Sequence, residues 1–214
     1  MKSGLVWFLC LLLSIFSSSC FLPHTYSFTY VNSAHQRAMS PVRIQKIYLD
    51  SAFGDADAVA IQDALDRWRY ALNGYLDFKT IAVDVVHGSL DPLKEANSGK
   101  AWIFLKIDSQ NPLVVFHDKP EVKSLAFVEK IGGNTLYLVR DRVNNENVRG
   151  VIMHEVGHLL GAEHRRDENL MQPLYDDANS QCIDKETLQQ VAEYQHIPTE
   201  NMNYCVYLND KYGN

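Results

Sequence analysis

The sequence predicts an α+β domain: a mixed sheet with two packed helices. Three observations predict it. A strand, helix, strand order between Pro41 and Val85 implies a crossover connection, and so a parallel pair. Two later strand-like runs flank Gly132-Gly133-Asn134, which reads as a hairpin and so as an antiparallel pair. Two helical stretches each carry one apolar stripe suited to covering a sheet.

Taken in order, Pro41 to Leu49 holds Val42, Ile44, Ile47, Tyr48 and Leu49, a β-rich run whose single break in alternation admits a bulge. Asp55 is placed to cap a helix. In that helix Ile61, Leu65, Trp68 and Leu72 fall on one face, and Asn73-Gly74 supplies the stop. Trp68 reads as core rather than as a binding platform. Ile81, Val83 and Val85 alternate with polar or small residues, Gly88 to Gly99 is rich in turn formers, and Ala101 to Ile107 is a further strand-like run. The hairpin runs are Ser124 to Glu129 and Thr135 to Arg140. Asn144 or Asn145 can cap the next helix, with Glu146 in its first turn, where the helix dipole favours an anion. Val148, Ile152, Val156 and Leu159 form its buried stripe. The final helix is expected from Asp184 to about His196, with Leu188, Val191 and Ala192 inward and Pro198 beyond its end.

The stretch from Val151 to Met171, VIMHEVGHLLGAEHRRDENLM, carries the chemistry. On a helix, His154 and His158 stand one turn apart on one face, so both imidazoles reach a single ion. Glu155 points about 100° away, which suits a proton acceptor beside the ion better than a third ligand. Gly161 permits a sharp turn after the helix, and that turn can bring His164 back to the metal. Three neutral imidazoles leave the fourth tetrahedral position for water, the arrangement of a catalytic zinc site.

HEVGHLLGAEH, from His154 to His164, resembles the HExxHxxGxxH signature of the metzincin metallopeptidases, with Met171 where their Met-turn falls. Met171 to Tyr175 is similar to the MxPxY of the matrixins, so the likeness runs from His154 to Tyr175. It implies a metzincin-like fold, a mixed twisted sheet with two packed helices, a zinc cleft and a small C-terminal subdomain ending in a helix, with one catalytic Zn2+ held by His154, His158 and His164, Glu155 as general base, and Met171 as a hydrophobic floor beneath the metal. It also implies that an edge strand at Leu125-Ala126-Phe127 pairs with extended substrate, and that Pro173 to Tyr175 line a side-chain pocket. The activity implied is endopeptidase cleavage of protein or peptide substrates. Arg165 departs from the serine common in matrixins and from the acidic residue of the astacin and adamalysin branches. The glycine- and aspartate-rich loop of the matrixin structural metal sites is not recognisable around His117-Asp118, nor is the latency cysteine motif, so neither is carried over.

The first 19 residues have the pattern of a secretory signal peptide: Lys2, the apolar run from Leu5 to Phe16, then small residues before Cys20. Residues 20–40 show no sustained period and read as a tether or short pro-segment, leaving 41–214 as the catalytic domain. A secreted, periplasmic or cell-envelope location follows. Cys20 after the cut resembles a bacterial lipoprotein site, although Ser17 stands where that signal has leucine, so free and lipid-anchored products both fit. The mature chain keeps Cys20, Cys182 and Cys205, an odd number. If Cys20 carries lipid, Cys182 and Cys205 can pair, and the closed loop would stabilise by about 3 kcal/mol.

Over 214 residues, 46% hydrophobic and 21% charged content is that of a globular domain, and a net charge of −6 gives no footprint for nucleic acid. A monomer is expected, with membrane contact only through lipid on Cys20. His24, His35, His87, His117 and His196 lack ligand spacing and read as solvated or packing residues. The alternative function is a secreted or lipid-anchored zinc-binding module with a vestigial active site; Glu155 argues against it, since binding alone requires no base.

Overall fold

The computed structural model describes residues 28–31, 42–88, 90–166, 169–176 and 181–207. The expected signal peptide, Cys20, His24, His35 and most of the expected tether lie outside the described residues. Among the described residues, no helix is long and apolar enough to cross a membrane.

A five-stranded sheet forms the centre. Its strands are β2 (Arg43–Asp50), β3 (Leu76–Val83), β4 (Trp102–Ile107), β5 (Ala126–Val128) and β6 (Thr135–Val139), in the spatial order β3-β2-β4-β6-β5. β2 runs parallel to β3 and β4, β4 runs parallel to β6, and β5 closes the edge antiparallel to β6. The crossover and the hairpin therefore both form, and the sheet is mixed.

Helix α1 (Asp55–Ala71) makes the crossover from β2 to β3. Its stripe of Ile61, Leu65 and Trp68 packs with Val148, Ile152, Val156 and Leu159 of α4 (Val148–Leu159) in one core on a single face of the sheet. Ile47 and Leu49 point into that core, while Tyr48 between them joins a second cluster with Ala96, Ala101 and Ile103. Strand β2, an interior strand of the sheet, is thus covered on both faces. This explains its broken alternation: the register with β3 is continuous from Arg43 to Asp50, and no bulge interrupts it.

Several boundaries differ from expectation for local reasons. Gly54, not Asp55, is the N-cap of α1, and Asp55 sits in the first turn beside the helix dipole. The stop is as expected, with Asn73 at φ 48° and Gly74 at φ 68°. β3 begins at Leu76, ahead of the alternating residues, and the turn-rich stretch contains helix α2 (Asp91–Asn97). A further short helix, α3 (Pro112–His117), is capped by Asn111, whose side chain accepts from the Leu113 N–H. The Asn144 side chain accepts from the N–H groups of Glu146 and Asn147, organising the turn before α4, while Asn147 is the N-cap itself.

Helix α5 (Lys185–Gln195) starts at Asp184, whose side chain accepts from the Thr187 N–H and hydroxyl. His196 ends it in the left-handed conformation. Beyond the expected helix, β7 (Tyr204–Tyr207) pairs antiparallel with β1 (Phe28–Val31), a strand inside the segment read as a tether. Cys182 and Cys205 form a disulfide, which ties the start of α5 to β7.

Candidate metal centre and cleft

Helix α4 positions two of the three histidines by its own periodicity. It is held at that level by Trp68, whose indole N–H donates to the Met153 carbonyl at 2.9 Å. α4 ends in a Schellman motif: the Ala162 N–H reaches the Gly157 carbonyl at 2.9 Å, and the Gly161 N–H reaches that of His158 at 3.1 Å. Gly161 takes φ 105°, a conformation open to glycine and strained for other residues, and the chain turns back with His164 three residues on.

The three Nε2 atoms converge. His158 lies 3.1 Å from both His154 and His164, and those two are 3.2 Å apart. Nitrogens bonded at 2.0–2.1 Å to a tetrahedral zinc stand about 3.3 Å from one another, so the triangle has the right size. The tautomers fit as well. His154 Nδ1 donates to the Leu170 carbonyl at 2.7 Å and His158 Nδ1 to the Ala162 carbonyl at 2.8 Å. Each Nδ1 therefore carries the proton, and each Nε2 presents a lone pair inward. Burial, with the neighbouring imidazoles, pushes His154 down to about 3; burial takes His158 down to about 4 and lowers His164, where the Lys119 charge adds to it. Neutral rings with lone pairs meeting at one point are what a divalent cation requires.

Glu155 is buried, 7% exposed, and lines the same cleft; burial pushes its carboxyl up to about 8. The cleft has a volume of about 680 Å³. Its lining includes Leu125 and Ala126, at the start of the edge strand, and Pro173 and Tyr175, so the residues singled out in the sequence come together around the histidines. Tyr175 also packs against the main core, its hydroxyl 3.5 Å from the Asn147 carbonyl. Met171 is fully buried, close against Gly157.

Some supports were not read from the sequence. Asn169 accepts the Met171 N–H on its side chain at 2.8 Å and the Gln172 N–H on its carbonyl at 3.2 Å, shaping the turn that delivers the Leu170 carbonyl to His154. An asparagine two residues before the turn was its only local signal. The Asp118 carboxylate accepts two bonds from Arg142, at 2.8 and 2.9 Å, and one from the Ser124 N–H. His117 stacks on Phe127 with ring centroids 4.0 Å apart, and His87 is exposed.

A family model described as matrixin matches residues 51–194, from just before α1 to the penultimate residue of α5, and the match includes all three histidines. No curated protein matches the chain.

Proposed function

On that match the chain belongs to the matrixin family of zinc-dependent metallopeptidases, and we propose that it is an endopeptidase that cleaves extended peptides laid along β5. The observation that carries this reading is the Nε2 triangle opening into the cleft lined by both Glu155 and the edge strand.

His154, His158 and His164 supply three neutral nitrogens for the metal. A zinc ion held there supplies Lewis acidity to a carbonyl oxygen and to water, and its charge favours the ionised form of Glu155 against burial. β5 offers backbone N–H and C=O groups on its free side, so a substrate joins the sheet as one more strand and presents its carbonyl at a fixed height above α4. Glu155 takes the proton from the attacking water and passes it to the leaving amine nitrogen. Pro173 and Tyr175 shape the wall that receives a substrate side chain, and Met171 supports the ligand set from below without contributing a donor. Release of the mature chain from the cytoplasm belongs to the same reading. It is supported by the signal-like residues 1–19 and by a disulfide of the kind that persists in oxidising compartments.

Replacing Glu155 by Gln tests the assignment, with zinc content and peptide cleavage measured on one preparation. Stoichiometric zinc with cleavage lowered by about 100-fold or more is expected. Undiminished cleavage would remove Glu155 from its role. Mass spectrometry of the mature N-terminus tests the processing step and reads directly whether Cys20 carries lipid.

A further inference from the structure

The turn that presents His164 is held from outside α4, and its partners sit on one face of α5. Gln195 Nε2 donates to the Leu160 carbonyl at 3.1 Å, and Gln190 Oε1 accepts the Glu163 N–H at 3.2 Å. Arg165 lies 3.3 Å from Asp184 at the start of the helix.

Tyr194 occupies the centre of this set. A Cβ added to Gly161 would fall against Tyr194 Cγ and lie 2.5 Å from Cδ1, and one added to Gly132 would fall against the Tyr194 hydroxyl oxygen and lie 2.5 Å from Cζ. The side chain therefore spans the space that two missing side chains leave, its ring over Gly161 and its hydroxyl end over Gly132. Both glycines have positive φ, 105° and 67°, and both donate their N–H to one acceptor, the His158 carbonyl, at 3.1 and 2.8 Å. Gly132 is in the turn of the β5–β6 hairpin, and Gly161 is in the turn that leads to His164. Tyr194 is 51% exposed, so its ring is no ordinary core residue.

We propose that Tyr194 is a positioning residue: its ring locks the hairpin of the substrate-binding edge and the turn of the third ligand onto the same His158 carbonyl. His154 and His158 keep their orientation through α4 and their own carbonyl partners. His164 follows Gly161, whose φ of 105° a glycine alone holds without strain, and the ring packs against that residue. Loss of the ring therefore loosens one ligand of three and the adjacent end of the substrate strand together. Its substrate consequence rests on the metallopeptidase reading; its metal consequence needs only the three histidines.

The test compares Tyr194→Ala and Tyr194→Phe in the full chain, using zinc loss to a chelator, the visible spectrum of the Co2+-substituted protein, and KM and kcat on a cleaved peptide. Alanine is expected to speed zinc loss by about tenfold or more, alter the cobalt spectrum and raise KM. Phenylalanine keeps the ring against Gly161 and loses only the hydroxyl over Gly132, so it is expected to match the native protein in zinc loss and cobalt spectrum. A folded alanine variant with native zinc loss and cobalt spectrum overturns the proposal, as does a phenylalanine variant that behaves like alanine. If alanine prevents folding, Tyr194→Leu carries the same comparison. Native protein that binds zinc yet cleaves no peptide would sink the peptidase reading and leave the metal readouts to decide this one.

Discussion

Trp68 of α1 donates its indole N–H to the carbonyl oxygen of Met153, the residue before His154. One side chain thus sets the height of the metal-binding helix against the helix that crosses the sheet, and its ring fills the core at 0% exposure. Trp68→Phe removes the donor and part of the ring volume while keeping an aromatic residue. A loss of about 1–3 kcal/mol in unfolding free energy is expected, from the lost bond and the space left behind. Urea denaturation measures it, and unchanged stability would show that the bond is incidental to packing.

Gly157, between the first two ligands' turns, is close-packed rather than conformationally special. A Cβ there would meet Met171 Sδ at 2.6 Å and Trp68 Cζ2 at 3.2 Å. Gly157→Ala gains helix propensity of about 1 kcal/mol, but overpacking costs about 1–3 kcal/mol. The balance runs from no change to about 2 kcal/mol of destabilisation despite the better helix former, with faster zinc loss as Met171 is pushed aside. Thermal unfolding reads the sign. A stabilised variant would mean that Met171 moves freely and is no floor to the site.

The parts legible in the sequence are those whose cause is local. His154 and His158 share a face because of helix periodicity, Gly161 turns because it lacks a Cβ, and Gly132-Gly133-Asn134 closes a hairpin by its own turn chemistry. What was not legible depends on neighbours distant in the chain. Ile47, Tyr48 and Leu49 suggested a bulge because a strand buried on both faces loses its alternation, and the second cover comes from the α2 side. β1 has four residues and its partner, Tyr204–Tyr207, lies at the opposite end of the described chain, so no window of sequence reveals the pair. Tyr194 reads as a polar-face helix residue until Gly132 and Gly161 are seen beneath its ring.

The disulfide joins Cys182, two residues before the Asp184 cap, to Cys205 in β7, with Cα atoms 5.6 Å apart. The Cys205 N–H also donates to the Ile183 carbonyl at 3.0 Å, so the staple and a backbone bond hold the same crossing. For a sequence separation of 23 residues, replacing both cysteines by serine is expected to cost about 3 kcal/mol, chiefly by freeing the unfolded chain. Denaturation of the native protein with and without reductant should give the same difference. If the double variant is as stable as the native chain, β1 and the α5 contacts already restrain the tail.

Arg142 and Asp118 anchor the loop that leads into the edge strand. The guanidinium donates to both carboxylate oxygens and to the Ser124 carbonyl, while Lys123 lies 3.3 Å from Asp118. The Arg142 bonds first, then the Ser124 N–H, hold the Asp118 carboxyl well below the usual carboxylate range. A carboxyl depressed on folding contributes stability that is fully present above its unfolded value, about 3.9, and is lost as pH falls through the folded value. Arg142→Met removes the largest cause and leaves the Ser124 N–H and Lys123 in place. The variant should therefore be less stable than the native chain at pH 7, and the gap should narrow as pH falls below about 4. Leu125 follows the anchored loop directly, so KM should rise while zinc content stays stoichiometric. Unfolding curves at pH 7 and in acid, with KM at neutral pH, test both halves. A stability gap independent of pH would assign the effect of Arg142 to packing, and an unchanged KM would show that the edge strand holds its place without the loop.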